Sequence, residues 1–391
     1  MLMQILLAIL GFVLFIGLVL IHEWGHFITA RRNGVEVEEF GLGLPPRAWR
    51  KKLKSGMVIS LNWLPLGGFV KLKGEHDSDD RPGSLGAASL WAKTKIMLAG
   101  VSMNLIAGLV LLTALAFIGI PKLIDNQFSV PSDTKVTHRQ LLVGYIEPDS
   151  PAQKAGLAGR DTIKSISAGG QTRNITTAED MNKATTAFAG QNVQLTISRS
   201  GKEQTKDITL RSAAEVEPTK NTDNPKGYLG ISPNELSAYR ATWSAPIVAL
   251  GFTKQLVVLT IQGLGHALSG LGSAIAGTVT GNEQARIKGQ AQATDQVGGP
   301  VAIGAILWGG GSLGFNFVIM VIAVLSLTLA LMNVLPLPIL DGGRLVMMLI
   351  SRGILHRPLS KKTEERLVGA SMALLLVLFA LITIVDVRRF F

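Results

Sequence analysis

His22-Glu23-Trp24-Gly25-His26 stands at the end of an apolar run, residues 2–21, in which Gln4 is the one polar side chain. Such a run reads as helix, and residues four apart on a helix share a face. His22 and His26 can therefore grip one ion, with Glu23 on the adjoining edge, where a carboxylate can take a proton from a metal-activated water. Zinc fits best, because two imidazole nitrogens leave positions for a third ligand and for the water. Two histidines and a glutamate can meet in any helix by chance. Here they interrupt a membrane-grade run, where ionisable groups are expensive and functional by default. From His22 to Arg31 the helix rises ~14 Å, about half the hydrocarbon core, so the site is expected inside the bilayer near the side where the chain emerges.

The rest of the composition agrees with a membrane setting. Of 391 residues 17% are charged, the mean hydropathy is +0.35, and the apolar residues come in blocks, as in an integral membrane protein with a soluble insert. The net charge of +11 would suit nucleic acid if it formed one patch. The basic residues instead flank hydrophobic runs, the arrangement that orients spans toward the cytoplasm, so no nucleic-acid partner is expected. With no cysteine, a metal site must be built from histidine and carboxylate. The N-terminus lacks a basic n-region, so the first segment is expected to be retained as a span.

Four transmembrane helices are expected, over about residues 4–30, 96–120, 315–333 and 367–387, and they divide the chain into four parts. Residues 1–120 form an N-terminal membrane half, 121–226 an inserted domain with its linker, 227–300 an amphipathic surface segment and 301–391 a C-terminal membrane half. Basic loops at 31–95 and 344–366 place those loops in the cytoplasm and both termini and the insert outside. Within 35–75, alternating apolar and polar residues and Gly67-Gly68 read as short strands, a β-sheet loop that either dips into the membrane or caps the helices. Gly74-Glu75-His76-Asp77 reads as a solvated turn. Asn104, the polar intruder of the second span, reads as a cross-helix hydrogen bond or as packing. The insert reads as mixed strands and two helices, an α+β domain. Residues 243–281 suit a surface helix better than a fifth span, and His266 there reads as structural.

The third span meets Pro336 and Pro338, then Leu340-Asp341-Gly342-Gly343-Arg344. Proline cannot continue the helix, and an aspartate beside a break at membrane depth should line a site. It can also cap the resumed helix. His22, His26 and Asp341 make three zinc ligands, with Glu23 as the base that activates water for peptide hydrolysis inside a bilayer. A helical substrate hides its carbonyls in hydrogen bonds and must first be extended. A strand edge within 57–73, at Phe69-Val70-Lys71, can hold it by strand addition.

His22-Glu23-Trp24-Gly25-His26 together with Asn333-Val334-Leu335-Pro336-Leu337-Pro338-Ile339-Leu340-Asp341-Gly342 resembles the site-2 protease family of intramembrane zinc metalloproteases, in its bacterial branch. The insert resembles a PDZ domain through Pro151-Ala152, Ala155-Gly156-Leu157 and Gly159-Arg160-Asp161. Residues 63–74, 227–233 and Gly299-Pro300-Val301 also match recurrent family stretches. The resemblance implies regulated proteolysis of single-span proteins in the bacterial inner membrane, the substrates being anti-sigma factors and signal-peptide remnants. It implies zinc on His22, His26 and Asp341, Glu23 as catalytic base, Asn333 on the substrate backbone, a membrane-reentrant sheet over 35–73 and a peptide ligand at the PDZ domain. Two departures stand out: one PDZ-sized insert where the proteobacterial members carry two in tandem, and Ala99-Gly100-Val101 where the family has Ala-Gly-Pro. Rival readings are a catalytically idle PDZ scaffold, which intact metal motifs disfavour, and a metal transporter, which needs a charge-lined passage.

Overall fold

The structure, a computed structural model, describes residues 2–124, 126–199, 201–222, 225–295, 300–310 and 313–390. Gly299 of the Gly299-Pro300-Val301 stretch lies outside the described residues. In chain order the elements are α1 (Leu2–Arg32), β1 (Val37–Lys52), β2 (Val58–Leu72), α2 (Leu90–Ile118), β3 (Ile120–Pro121), β4 (Lys135–Ile146), α3 (Pro151–Lys154), β5 (Thr162–Ala168) and β6 (Gln171–Asn174). Then follow α4 (Ala178–Ala187), β7 (Asn192–Arg199), β8 (Lys202–Thr209), α5 (Ala213–Val216), β9 (Ile231–Arg240), α6 (Ala245–Thr280), α7 (Glu283–Asp295), α8 (Pro300–Gly310), α9 (Phe315–Val334), α10 (Asp341–Met348) and α11 (Lys361–Phe390). They form two compact units, one from Ala116 to Ala245 and one from Leu2–Leu115 with Pro246–Phe391.

Among the described residues of the chain, five helices are long and apolar enough to cross a membrane, namely α1, α2, α6, α9 and Lys361–Ile384 of α11. The expected four are among them. Residues 245–280 add a continuous helix that also meets the length and hydropathy of a span. Its exposed residues include Leu250, Leu259, Ile261, Leu268 and Ile275 beside Lys254, Gln262 and His266. The sequence reading did not anticipate α8, which packs on α1. A Cβ at Gly11 would lie 3.1 Å from Leu307 and 3.3 Å from Val318, so the missing side chain lets α8 and α9 approach α1. Ser326 of α9 donates to the Asn104 carbonyl of α2 at 2.7 Å, pinning those two helices together.

The loop after α1 forms the expected sheet, with two long bent strands in place of several short ones. Phe40 lies beside Val70 on one side and Ile59 on the other, while Lys52 pairs with Val58. Segment 68–72 is therefore an outer edge of this sheet among the described residues. Exposed Trp49, Leu61 and Trp63 lie farther out, among Arg50, Lys51 and Lys52. Phe27 of α1 meets Phe40 edge-on at 5.9 Å, tying helix to sheet.

Residues 74–77 are not a solvated turn. Asp77 is buried, bound to Lys93 Nζ at 2.6 Å, Arg352 Nε at 3.2 Å and Ser351 Oγ at 3.1 Å. Arg344 reaches Glu75 at 3.5 Å, so the basic residue that follows the proline break has an acidic partner. A buried carboxylate must be paired, and these cations pair it.

In the inserted unit the strand order is β3-β9-β4-β5-β7-β8, with β6 on β5. Leu141, Ile163, Ile166, Leu195 and Ile197 line one core with Phe188 and Leu229. The helix expected near 177–189 is α4, and Thr177 and Asp180 form a reciprocal capping box at its start. Asp161 of the Gly159-Arg160-Asp161 stretch is buried and accepts both Arg199 Nε at 2.7 Å and Nη2 at 2.6 Å. The expected boundary at 226 is too early, because β9 adds residues 231–240 to this sheet between β3 and β4. Pro233 disguised that strand. Proline is tolerated there because β3 pairs only with Ala238 and Tyr239, which leaves the other edge of β9 open at Pro233.

Candidate metal centre

Helix α1 carries His22 and His26 one turn apart, both buried, their rings 4.9 Å apart and edge-on. Asp341 arrives from the far end of the sequence as the first residue of α10. The segment 335–340 makes this possible. Its prolines end α9, and Leu337 and Leu340 amides turn back onto the carbonyls of Leu335 and Leu337 at 2.8 Å each. Gly342 and Gly343 follow because any side chain would collide with the Val334 and Leu337 carbonyls. Leu340, not Asp341, occupies the capping position of α10, so the carboxylate is left to face the histidines.

Three donor atoms meet there. His22 Nε2, His26 Nε2 and Asp341 Oδ2 are each 3.2 Å from the other two. The ligand atoms of a tetrahedral zinc, with bonds of about 2.0–2.1 Å, are separated by about 3.3 Å. The triangle therefore matches one face of such a site. Among the described residues this is the one cluster of histidines and acids that could hold an ion; His266 is exposed on α6 and is not part of it.

The surroundings are shaped for this triangle. His26 Nδ1 donates to the Ile96 carbonyl at 2.8 Å, which leaves its Nε2 lone pair free. Gly100 of α2 lies directly against both rings: a Cβ there would be 2.7 Å from His22 Nε2 and nearer still to His26 Nε2. Gly25 lets α1 approach from its side, with a Cβ position only 2.7 Å from the Ala99 carbonyl. Asn104 Nδ2 stands 3.3 Å from His22 Nδ1. From sequence, Asn104 reads as a cross-helix hydrogen bond or as packing, and Gly100 only as the residue before Val101, where the family has proline. Their spacing of four within an apolar helix puts them on one face, which was the available signal.

Glu23 is half-buried beside the outer strand edge. The Val70 amide donates to its carboxylate, and a Cβ at Gly68 would be 3.2 Å from its Cγ. Of the three edge residues expected to hold substrate, Val70 thus spends its amide on Glu23. Phe69 lies over Gly41, and Lys71 is exposed and paired with Glu38 at 2.8 Å. The Leu72 amide, next on the same side, donates to Glu75 at 3.0 Å. Asn333 sits, half-buried, in the last turn of α9, before the break that leads to Asp341.

Comparison with known proteins converges on one group. The model of peptidase family M50 matches residues 10–378. A Clostridium perfringens protein whose name makes it a candidate zinc metalloprotease is 30% identical over 385 residues, covering 98% of each chain. A similarly named protein of Clostridium acetobutylicum is 30% identical over 98% of this chain and 97% of its own. One from a Nostoc species is 29% identical over 92% of this chain and 90% of its own.

Proposed function

Since the chain belongs to peptidase family M50, the site-2 protease family, and is a zinc metallopeptidase of the membrane, we propose that it cleaves single-span membrane proteins within the bilayer, with His22, His26 and Asp341 holding the zinc and Glu23 as general base. The observation that carries this reading is the 3.2 Å triangle of two imidazole nitrogens on α1, a helix apolar enough to span a membrane, and one carboxylate oxygen at the start of α10.

Bound zinc supplies Lewis acidity, polarising a carbonyl and bringing the pKa of water to about 7. The chain's own residues do the rest. Glu23, not one of the three donors, accepts the proton of the attacking water and returns it to the departing amine. The Val70 amide orients the Glu23 carboxylate, and the Ile96 carbonyl holds the His26 ring. Edge 68–72 lies beside Glu23, so an extended substrate added along it, with Asn333 on its backbone, has a carbonyl near the base. Because Val70 and Leu72 already spend their amides on Glu23 and Glu75, pairing uses the remaining groups of the edge or displaces these carboxylates.

By resemblance the substrates are anti-sigma factors and signal-peptide remnants in the bacterial inner membrane. The same resemblance makes the insert a PDZ domain that takes a peptide. The test is a co-expressed single-span reporter. Glu23→Gln should slow its cleavage by about 10²–10⁴-fold with zinc retained, and His22→Ala should lose both. Cleavage by Glu23→Gln at the wild-type rate refutes the assignment of the base.

A further inference from the structure

Asn104 is among the most deeply buried polar residues, 1% exposed, and its side-chain oxygen has no hydrogen-bond partner among the described residues. A buried amide oxygen left unpaired is costly, and one beside a metal centre calls for a reason. Among the described residues the amide's one hydrogen-bond partner is His22, Nδ2 against Nδ1 at 3.3 Å. In that orientation the amide donates and the ring accepts at Nδ1. A neutral imidazole that accepts at Nδ1 carries its hydrogen on Nε2, the atom that faces His26 and Asp341. A ring in that tautomer has no lone pair at Nε2 to offer a cation.

With zinc on Nε2 the neutral ring must carry its hydrogen on Nδ1, and it then needs an acceptor. A half-turn of the Asn104 amide supplies one, because oxygen and nitrogen exchange places. No partner holds the oxygen where it stands, so the turn breaks no other hydrogen bond. The backbone beneath the side chain is fixed, since Ser326 grips the Asn104 carbonyl at 2.7 Å. His26 has the equivalent arrangement, its Nδ1 hydrogen accepted by the Ile96 carbonyl. We propose that Asn104 is a positioning residue of the metal centre, whose amide oxygen accepts the Nδ1 hydrogen of His22 and so holds the tautomer that presents Nε2 to zinc. One histidine is set by a main-chain carbonyl and the other by a side chain, both from α2. The inference rests on His22 being a zinc ligand.

Zinc affinity separates this role from packing. Wild type, Asn104→Asp, Asn104→Leu and Asn104→Ala are purified as full chains in detergent, and zinc binding is measured by competition with a chromophoric chelator. Aspartate keeps an acceptor and removes every donor, whereas leucine keeps the bulk and removes both. The expected result is affinity lowered about 10–100-fold in the leucine and alanine variants, with aspartate within a few-fold of wild type. The absorption spectrum of the cobalt-substituted aspartate variant should match that of wild type. Wild-type affinity in the alanine variant overturns the proposal. So does an aspartate variant as weak as alanine, because the ring then does not donate to position 104. Alanine and aspartate decide the matter even if leucine does not fold. Should wild type bind zinc and His22→Ala bind it equally well, the ligand assignment has failed, and that outcome is distinct from a failure of the Asn104 proposal.

Discussion

Lys93 Nζ meets Asp77 Oδ1 at 2.6 Å, and both residues are buried. Asp77 also holds Ser351 and Arg352, on the helical stretch that follows α10, and neighbouring Glu75 reaches Arg344 within α10. The acidic turn before α2 thus grips the element whose first residue is Asp341. Ion pairs outside the triangle carry part of the task of bringing position 341 to positions 22 and 26.

Breaking that grip leaves a buried charge alone. Asp77→Ala should destabilise the protein by about 3–5 kcal/mol, read as a lower melting temperature in detergent, and should weaken zinc binding. The double variant Asp77→Leu with Lys93→Met should recover much of the stability, since an apolar pair avoids the stranded cation. If the double variant melts no higher than Asp77→Ala, the buried lysine charge is not the cause.

The same group predicts a pH dependence. Burial alone would raise the Asp77 pKa, but the hydrogen bond and charge of Lys93, with the charge of Arg352, outweigh it and hold the carboxyl below its ordinary value. A carboxyl depressed on folding contributes stability above its unfolded pKa of about 3.9, lost as pH falls through the folded value. The melting temperature of wild type should therefore drop more steeply below pH about 4 than that of Asp77→Asn. Parallel curves would show that Asp77 is not the group responsible.

Gly100 lies where any side chain would occupy the approach to the histidine Nε2 atoms. Gly100→Ala should therefore lose zinc and cleavage together, whereas Gly17→Ala, with no neighbour within 4 Å on the same helix as the histidines, should keep both. A Gly100→Ala protein with full zinc occupancy would mean that α2 can move aside at little cost.

At the strand edge, Val70→Pro deletes the amide that orients Glu23. Cleavage should slow while zinc stays bound. Asn333→Ala should slow it too, by about 1–3 kcal/mol of lost backbone satisfaction. Helix-breaking residues in the substrate should partly rescue Asn333→Ala, because less unwinding remains to be stabilised. Wild-type rates in both variants would reduce this edge to a cap over the helices.

Orientation is open to reporter fusions. Fusions at residues 50 and 355 should score cytoplasmic and one at residue 180 external, from the basic loops at 31–95 and 344–366. A cytoplasmic score at 180 reverses the topology.

The helices α1, α2, α9 and α11 were legible in the sequence because a run of apolar residues long enough to span a bilayer has few other uses. The His22 and His26 pair was legible for a local reason, since four residues make about one helical turn wherever the helix lies. Asp341 was legible as a costly residue beside a proline break, but its arrival 3.2 Å from both histidines is a long-range fact that no local period encodes. The same holds for Asn104 and Gly100, whose roles depend on which face of α2 meets α1. Asp77 reads as a solvated acid until Lys93 and Arg352 are seen around it, because burial is a property of the neighbours and not of the segment. Strand β9 was hidden by Pro233, whose cost depends on whether another strand lies alongside. Local patterns named the helices and the three candidate donors; only tertiary packing decided that the third meets the other two, which residues orient the rings, and where the insert ends.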